Sequence, residues 1–245
     1  MMKKYIFHIF LMVFLFSGQS FSQRLFVVPY YPDMYNNGAA KQIIAETNID
    51  YNKLNTIISQ ALLRHIQQAF PDSVVTIVHS NASTTTADFH PIESIWSLLD
   101  YTMAPLPNKS YVLIGAQSKL SNRKISQKRT GELRPVIRST THSFLDAKIT
   151  DKRTFSKIAH RLKCDYILVI NEFDIKVDYS DPYATGRNDN KRQIQVHYSL
   201  FDKTGKHIAG NVSAVNFSSR ENNIHNIIYT YFNKLAQQIV DYLKF

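Results

Sequence analysis

Glu172 and Asp174 stand two residues apart in the run "NEFDIKVD". If that run is a strand, both carboxylates share one face, roughly 6.5–7 Å apart along the backbone. Such a spacing suits a general acid and base working on either side of a scissile bond, as in glycoside hydrolysis. The competing expectation is a wet strand face whose charges meet cross-strand partners such as Lys191 or Arg192. A site needs a third convergent group, and a linear reading supplies none. The pair therefore carries the second of two functional expectations, a secreted hydrolase acting on an anionic polymer or polysaccharide.

The other chemistry-bearing residues are dispersed. His65, His79, His90, His142, His160, His197, His207 and His225 show no metal-ligand spacing, and packed or half-exposed roles are expected of them. His90, ahead of Pro91, is expected to cap a helix. Cys164 is the only cysteine. No intrachain disulfide can form, and its place before an apolar run suits a small buried hydrophobe. Phosphate-cradling loops, nucleophile elbows and H-E-x-x-H are absent from the sequence. The residues thus assign no catalytic group, metal ligand or cofactor.

Charge is concentrated. Thirteen basic and three acidic residues between Lys119 and Lys163 account for the whole formal charge of +10. Within this segment Arg123, Lys124, Lys128, Arg129, Arg134 and Arg138 are the candidate contacts for an anionic surface or an acidic protein face. Phe144 is the only aromatic residue between Lys119 and Asp151. Base stacking is therefore poorly served, and nucleic acid is not the expected partner.

These residues must be positioned by an alternating set of elements. "RLFVVPY" reads as a first strand, followed by a polar connector. Asp50 to Phe70 reads as a helix with one apolar stripe, stopped by Pro71. "SVVTIVH" is a strand, "PIESIWSLLDYTM" a helix opened by Pro91, and "SYVLIGAQ" another strand. Ser118 to Thr150 reads as a long excursion from the sheet. Helical spacing resumes in "DKRTFSKIAHRLK". "YILVI" then lacks polar alternation and should be covered on both faces, whereas from Asn171 alternation predicts one wet face. "DKTG" joins two further strands as a tight hairpin, and Glu221 to Leu243 closes the chain as an amphipathic helix. The expectation is an α/β (α+β) fold, one domain over 23–245 with an insertion at about 118–150, its mixed sheet flanked by amphipathic helices.

The start, "MMKKYIFHIFLMVFLFSGQSFSQ", has two lysines, an apolar run from Ile6 to Phe16 and then small polar residues. A spanning helix needs roughly 20 apolar residues, so a signal peptide over 1–22, cut near Gln23, is expected. The remaining chain is expected to be exported, without a transmembrane segment, to the periplasm or cell surface.

Several stretches together carry a resemblance: "ISQALLRHIQQAF", "FSKIAHRLKCDYILVINEFDI", "QVHYSLFDKTGKHIAG" and the closing amphipathic helix. They resemble the periplasmic superfamily that includes the TolB amino-terminal domain, the curli-assembly pore lipoprotein and the penicillin-binding-protein activator lipoproteins. The shared features are a small–acidic–aromatic–aliphatic strand entry, here Cys164 to Ile167, and an Asp-to-Gly turn, here Asp202 to Gly205. The resemblance implies a non-enzymatic accessory protein of the cell envelope, with an envelope protein or anionic envelope surface as partner. The acylated cysteine of the lipoproteins has no counterpart here. Lys119 to Thr150 is too basic and interrupted for membrane hairpins.

Overall fold

The computed structural model describes residues 23–72, 74–78, 89–107, 143–179, 183 and 190–244. The expected signal peptide, the strand over 110–117 and the basic residues Arg123, Lys124, Lys128, Arg129, Arg134 and Arg138 lie outside these residues. Among them, no helix is long and apolar enough to cross a membrane.

The expected α/β architecture is present. A mixed sheet runs in the order β3-β1-β6-β7-β8, made of β1 (Gln23–Val28), β3 (Val74–Val78), β6 (Tyr166–Asp178), β7 (Lys191–Asp202) and β8 (His207–Phe217). β3, β1 and β6 are parallel, while β7 and β8 are antiparallel. Helices α1 (Ala40–Thr47), α2 (Tyr51–Ala69), α3 (Pro91–Trp96) and α4 (Lys152–Leu162) lie between strands. The chain closes through Ile224–Ile227 and a π-helical turn, Ile228–Phe232, into α5 (Asn233–Leu243).

Local chemistry sets the helix ends. Asp50 caps α2 by accepting from Lys53 N, and Asp151 caps α4 by accepting from Arg153 N and Thr154 N, satisfying orphan donors of the first turn. His90 takes the N-cap position of α3 but makes no side-chain capping bond, contrary to expectation. The "DKTG" hairpin forms as expected. Asp202 Oδ1 accepts from Thr204 N and Lys206 N, and Gly205 adopts φ +77°, a conformation that favours glycine.

Three sequence expectations are corrected. The polar connector after β1, to which no element was assigned, holds α1 and a short strand β2 (Tyr35–Asn37) that extends the sheet by pairing parallel with Phe173–Ile175 of β6. β6 thus has β1 beside its first half and β2 beside its second. Gly38 permits this approach, since a Cβ there would meet Ile175 O at 3.0 Å. Next, the helix opened by Pro91 ends at Trp96. "LDYTMAP" instead forms β4 (Leu99–Pro105), with Leu99 and Tyr101 buried and their neighbours less so, a period of two that outweighs the helical spacing. Last, the excursion expected to run to Thr150 ends in a strand, β5 (Ser143–Ile149), antiparallel to β4 in a separate two-stranded sheet.

The core lies on both sides of the main sheet. Leu54, Ile58, Leu62 and Ile66 of α2 and Leu235 and Ile239 of α5 are buried with the sheet residues in one cluster. Phe173 packs against Tyr30, Tyr35 and Phe232 at ring-centroid distances of 5.9–6.0 Å. Ile167, Leu168 and Val169 are each 0% exposed, as the unbroken apolar run requires. Cys164 is buried too, and burial pushes its thiol up to about 11, which makes it an inert packing residue.

The edge strand β8 is blocked by side chains. Gln238 of α5 accepts from Ala214 N at 3.1 Å and donates to Ala214 O at 3.3 Å, imitating a neighbouring strand. Asn211 Oδ1 accepts from Val212 N at 2.8 Å. Unpaired edges invite strand addition, and these amides occupy the groups an incoming strand would need. Gln238→Ala is expected to lower stability by about 1 kcal/mol and to promote dimers in sedimentation experiments. An unchanged urea midpoint together with a monomer would show that Gln238 has no such role.

Candidate functional site

β5 lies against the face of the main sheet with one edge paired to β4. Its other edge is satisfied by sheet side chains. His197 Nδ1 accepts from Leu145 N at 2.8 Å, Ser199 Oγ accepts from Ala147 N at 2.9 Å, and Asn171 Nδ2 donates to Leu145 O at 2.8 Å. Asn171 also donates to Ser199 Oγ at 2.7 Å, and Ser199 donates to Asp146 Oδ1 at 2.6 Å. A buried strand edge needs partners for its peptide groups, so polar residues on this face are what allow β5 to cover it.

The expected wet face is therefore dry at Glu172 and Asp174, whereas Lys176 and Asp178 nearer its end are half-exposed. Glu172 is 4% exposed, and Asp174 and His197 are each 0% exposed. A register shift between Ile170 and Glu172 sets Glu172 opposite His197 and Asp174 opposite Gln195. Lys191 and Arg192 do not serve the carboxylates: they stand opposite Asp178 and Val177, and Arg192 donates to Asn222 Oδ1 at 2.8 Å. Glu172 Oε1 accepts from Asn36 Nδ2 at 3.0 Å, and its Oε2 lies 3.8 Å from His197 Nε2. Asp174 Oδ2 lies 2.8 Å from Lys176 Nζ. The sequence reading missed His197, Lys176 and Asn36 as neighbours. The alternation Gln193, Gln195, His197, Ser199 in β7 was the available signal.

The electrostatics follow from burial. Burial first, and the Asp174 carboxylate second, push the Glu172 carboxyl well above its ordinary value. Burial pushes the His197 imidazole down to about 4, so it is neutral at pH 7. Because its Nδ1 accepts from Leu145 N, the single ring proton of neutral His197 is on Nε2. Imidazole ligands of metals commonly donate from the second nitrogen. His197 has the opposite arrangement and presents an N–H, not a lone pair, to the carboxylates.

The Glu172 contribution to stability is fully present below the unfolded-state value near 4.5 and is lost as pH rises through the higher folded value. The His197 contribution is present above 6.5 and is lost as pH falls through about 4. Glu172→Gln retains an acceptor for Asn36 and removes the first loss. The variant should match wild type near pH 4 and exceed it by on the order of 1–3 kcal/mol at pH 8, measured by urea unfolding. An advantage that is constant with pH would exclude Glu172 as its source.

Ser199, Asp146 and His207 also converge, with His207 Nε2 3.0 Å from Asp146 Oδ1. Their order is serine–aspartate–histidine, so Ser199 meets a carboxylate rather than an imidazole, and it is 0% exposed. The nucleophilic arrangement places histidine in the middle. This is a structural network.

None of these carboxylates lines the cavity of about 730 Å³ found outside the carboxyl end of β1. That groove lies between α2 and α3. Asn52, Asn55, Thr56, Ser59, Gln60 and Gln67 furnish hydrogen-bonding groups along α2, and Trp96 lines the opposite side. Trp96 is held by Nε1 donating to Pro29 O at 2.9 Å and by an edge contact with Tyr31. Arg64 and Glu93 are the charged lining residues, so the groove carries balanced charge. In open α/β sheets ligands bind beyond the carboxyl ends of parallel strands.

No protein-family model and no curated protein matches the chain. Among solved structures it is similar to the hypothetical protein CT253 from Chlamydia trachomatis, with 11% identity and a TM-score of 0.42 over 91% of this chain and 95% of that one.

Proposed function

We propose that the chain is a non-enzymatic, exported binding protein of the bacterial cell envelope that assists or regulates an envelope assembly. The groove between α2 and α3 is its contact surface for a protein partner. The observation that carries this reading is the groove's lining, rich in uncharged amides and hydroxyls with one fixed tryptophan, which suits the mixed donors and acceptors of a polypeptide surface. The apolar start with its two lysines and the resemblance to periplasmic accessory proteins support the compartment. Burial of Glu172 and Asp174 removes the residues on which a hydrolase reading rested.

The test combines location and binding. Protein recovered from cells should begin close to Gln23 and sit in the periplasmic or surface fraction. The purified protein should be retained on washed envelope proteins, and Thr56→Trp with Gln60→Trp, which fills the groove at exposed positions, should reduce retention at least tenfold with unchanged circular dichroism. Undiminished retention by that variant would overturn the groove as the contact. Reversal of Arg123, Lys124, Lys128 and Arg129 to glutamate separates an anionic lipid surface from a protein partner: loss of vesicle binding alone assigns lipid to the basic segment. Polymer cleavage abolished by Asp174→Asn would instead establish the hydrolase.

A further inference from the structure

The Glu172, Asp174 and His197 cluster contains polar groups without partners in a place water does not freely reach. Among the described residues, His197 Nε2 and Asp174 Oδ1 are buried and make no hydrogen bond. One ligand-competent atom from each of the three residues lies within 4.8 Å of the other two. The centre of such a triangle is at most about 2.8 Å from every corner, which is hydrogen-bond distance.

The chemistry at the corners decides what fits there. His197 Nδ1 is occupied as an acceptor from Leu145 N, so Nε2 carries hydrogen and repels a cation. Lys176 Nζ, 2.8 Å from Asp174 Oδ2, already supplies a positive charge. The centre therefore requires a small group that accepts a hydrogen bond from His197 and donates one to Asp174. A water molecule has two donors and two acceptors, and buried waters make about three hydrogen bonds to otherwise unsatisfied groups.

We propose that Glu172, Asp174 and His197 form a closed site for one structural water, and that this metal-like constellation is not a metal site. The water joins β6 to β7 where the side-chain fastening of β5 ends, using the imidazole tautomer that β5 itself imposes. It accounts for the buried acceptor and donor that the protein leaves unmatched, each of which would otherwise be a standing cost to the fold.

Three measurements on the intact protein test it. Long-range ¹⁵N–¹H spectra at pH 7 should show His197 protonated at Nε2; the Nδ1-protonated form would overturn the site. Thermal unfolding with excess EDTA, then with excess Zn²⁺ or Mn²⁺, should leave the midpoint unchanged within about 1 °C. A midpoint that climbs with metal concentration would make the cluster a metal centre. A crystal structure at about 1.8 Å or better should show one peak 2.6–3.2 Å from His197 Nε2 and from both carboxylates. A peak near 2.1 Å, or direct contact between the side chains with no peak, would overturn the assignment.

Discussion

Lys176→Met is expected to destabilise the protein by about 3–5 kcal/mol, the cost of removing one partner of a buried ion pair. Asp174 is 0% exposed and its Oδ2 lies 2.8 Å from Lys176 Nζ, while the Lys176 side chain is 21% exposed. Methionine keeps the aliphatic stem and removes the charge, so packing changes little. The double variant Lys176→Met, Asp174→Asn should recover much of the loss, because the uncompensated charge is gone. Contacting residues couple in this way. Urea unfolding at pH 7 measures both, and a single-variant loss below about 1 kcal/mol would show that Asp174 is solvated or otherwise neutralised.

Leu168→Ala should cost about 2–5 kcal/mol, through lost transfer free energy and the cavity left behind. Leu168 is 0% exposed, in the parallel half of β6, opposite Val27 of β1 and Leu200 of β7. A strand hydrogen-bonded on both sides has little freedom to collapse into the void. For a domain of this size the loss corresponds to a fall of roughly 5–15 °C in Tm. Ile208→Ala provides the contrast, since Ile208 is 46% exposed at the start of β8 and should shift stability within about 0.5 kcal/mol. Equal losses at the two positions would mean that β6 is not the centre of the core.

The fold was largely legible along the chain because its signals are local. The stripe of Leu54, Ile58, Leu62 and Ile66 specifies α2 whatever it packs against. "DKTG" carries the side chain and the glycine that its turn requires. "LDYTMAP" was misread because its apolar residues fit the end of a helix as well as a strand. Pairing with Ser143–Ile149, more than thirty residues later, decides between them. The short β2 was equally silent, since three residues gain strand character only by meeting Phe173–Ile175 of β6.

For the candidate site, the sequence by itself determined that Glu172 and Asp174 share one face of a strand and that His197 and Ser199 share a face of β7. Period-two alternation suffices for both. It also determined that Ile167 to Ile170 of "YILVI" are buried on both sides, because four consecutive aliphatic residues leave no face for water. The tertiary structure decided that the polar face is buried as well. β5 brings an unpaired edge against it, and that edge takes its hydrogen bonds from Asn171, His197 and Ser199. Alternation in sequence reports which residues point the same way. Whether they point at solvent or at another strand's peptide groups depends on an element distant in sequence, and the same polar side chains satisfy either.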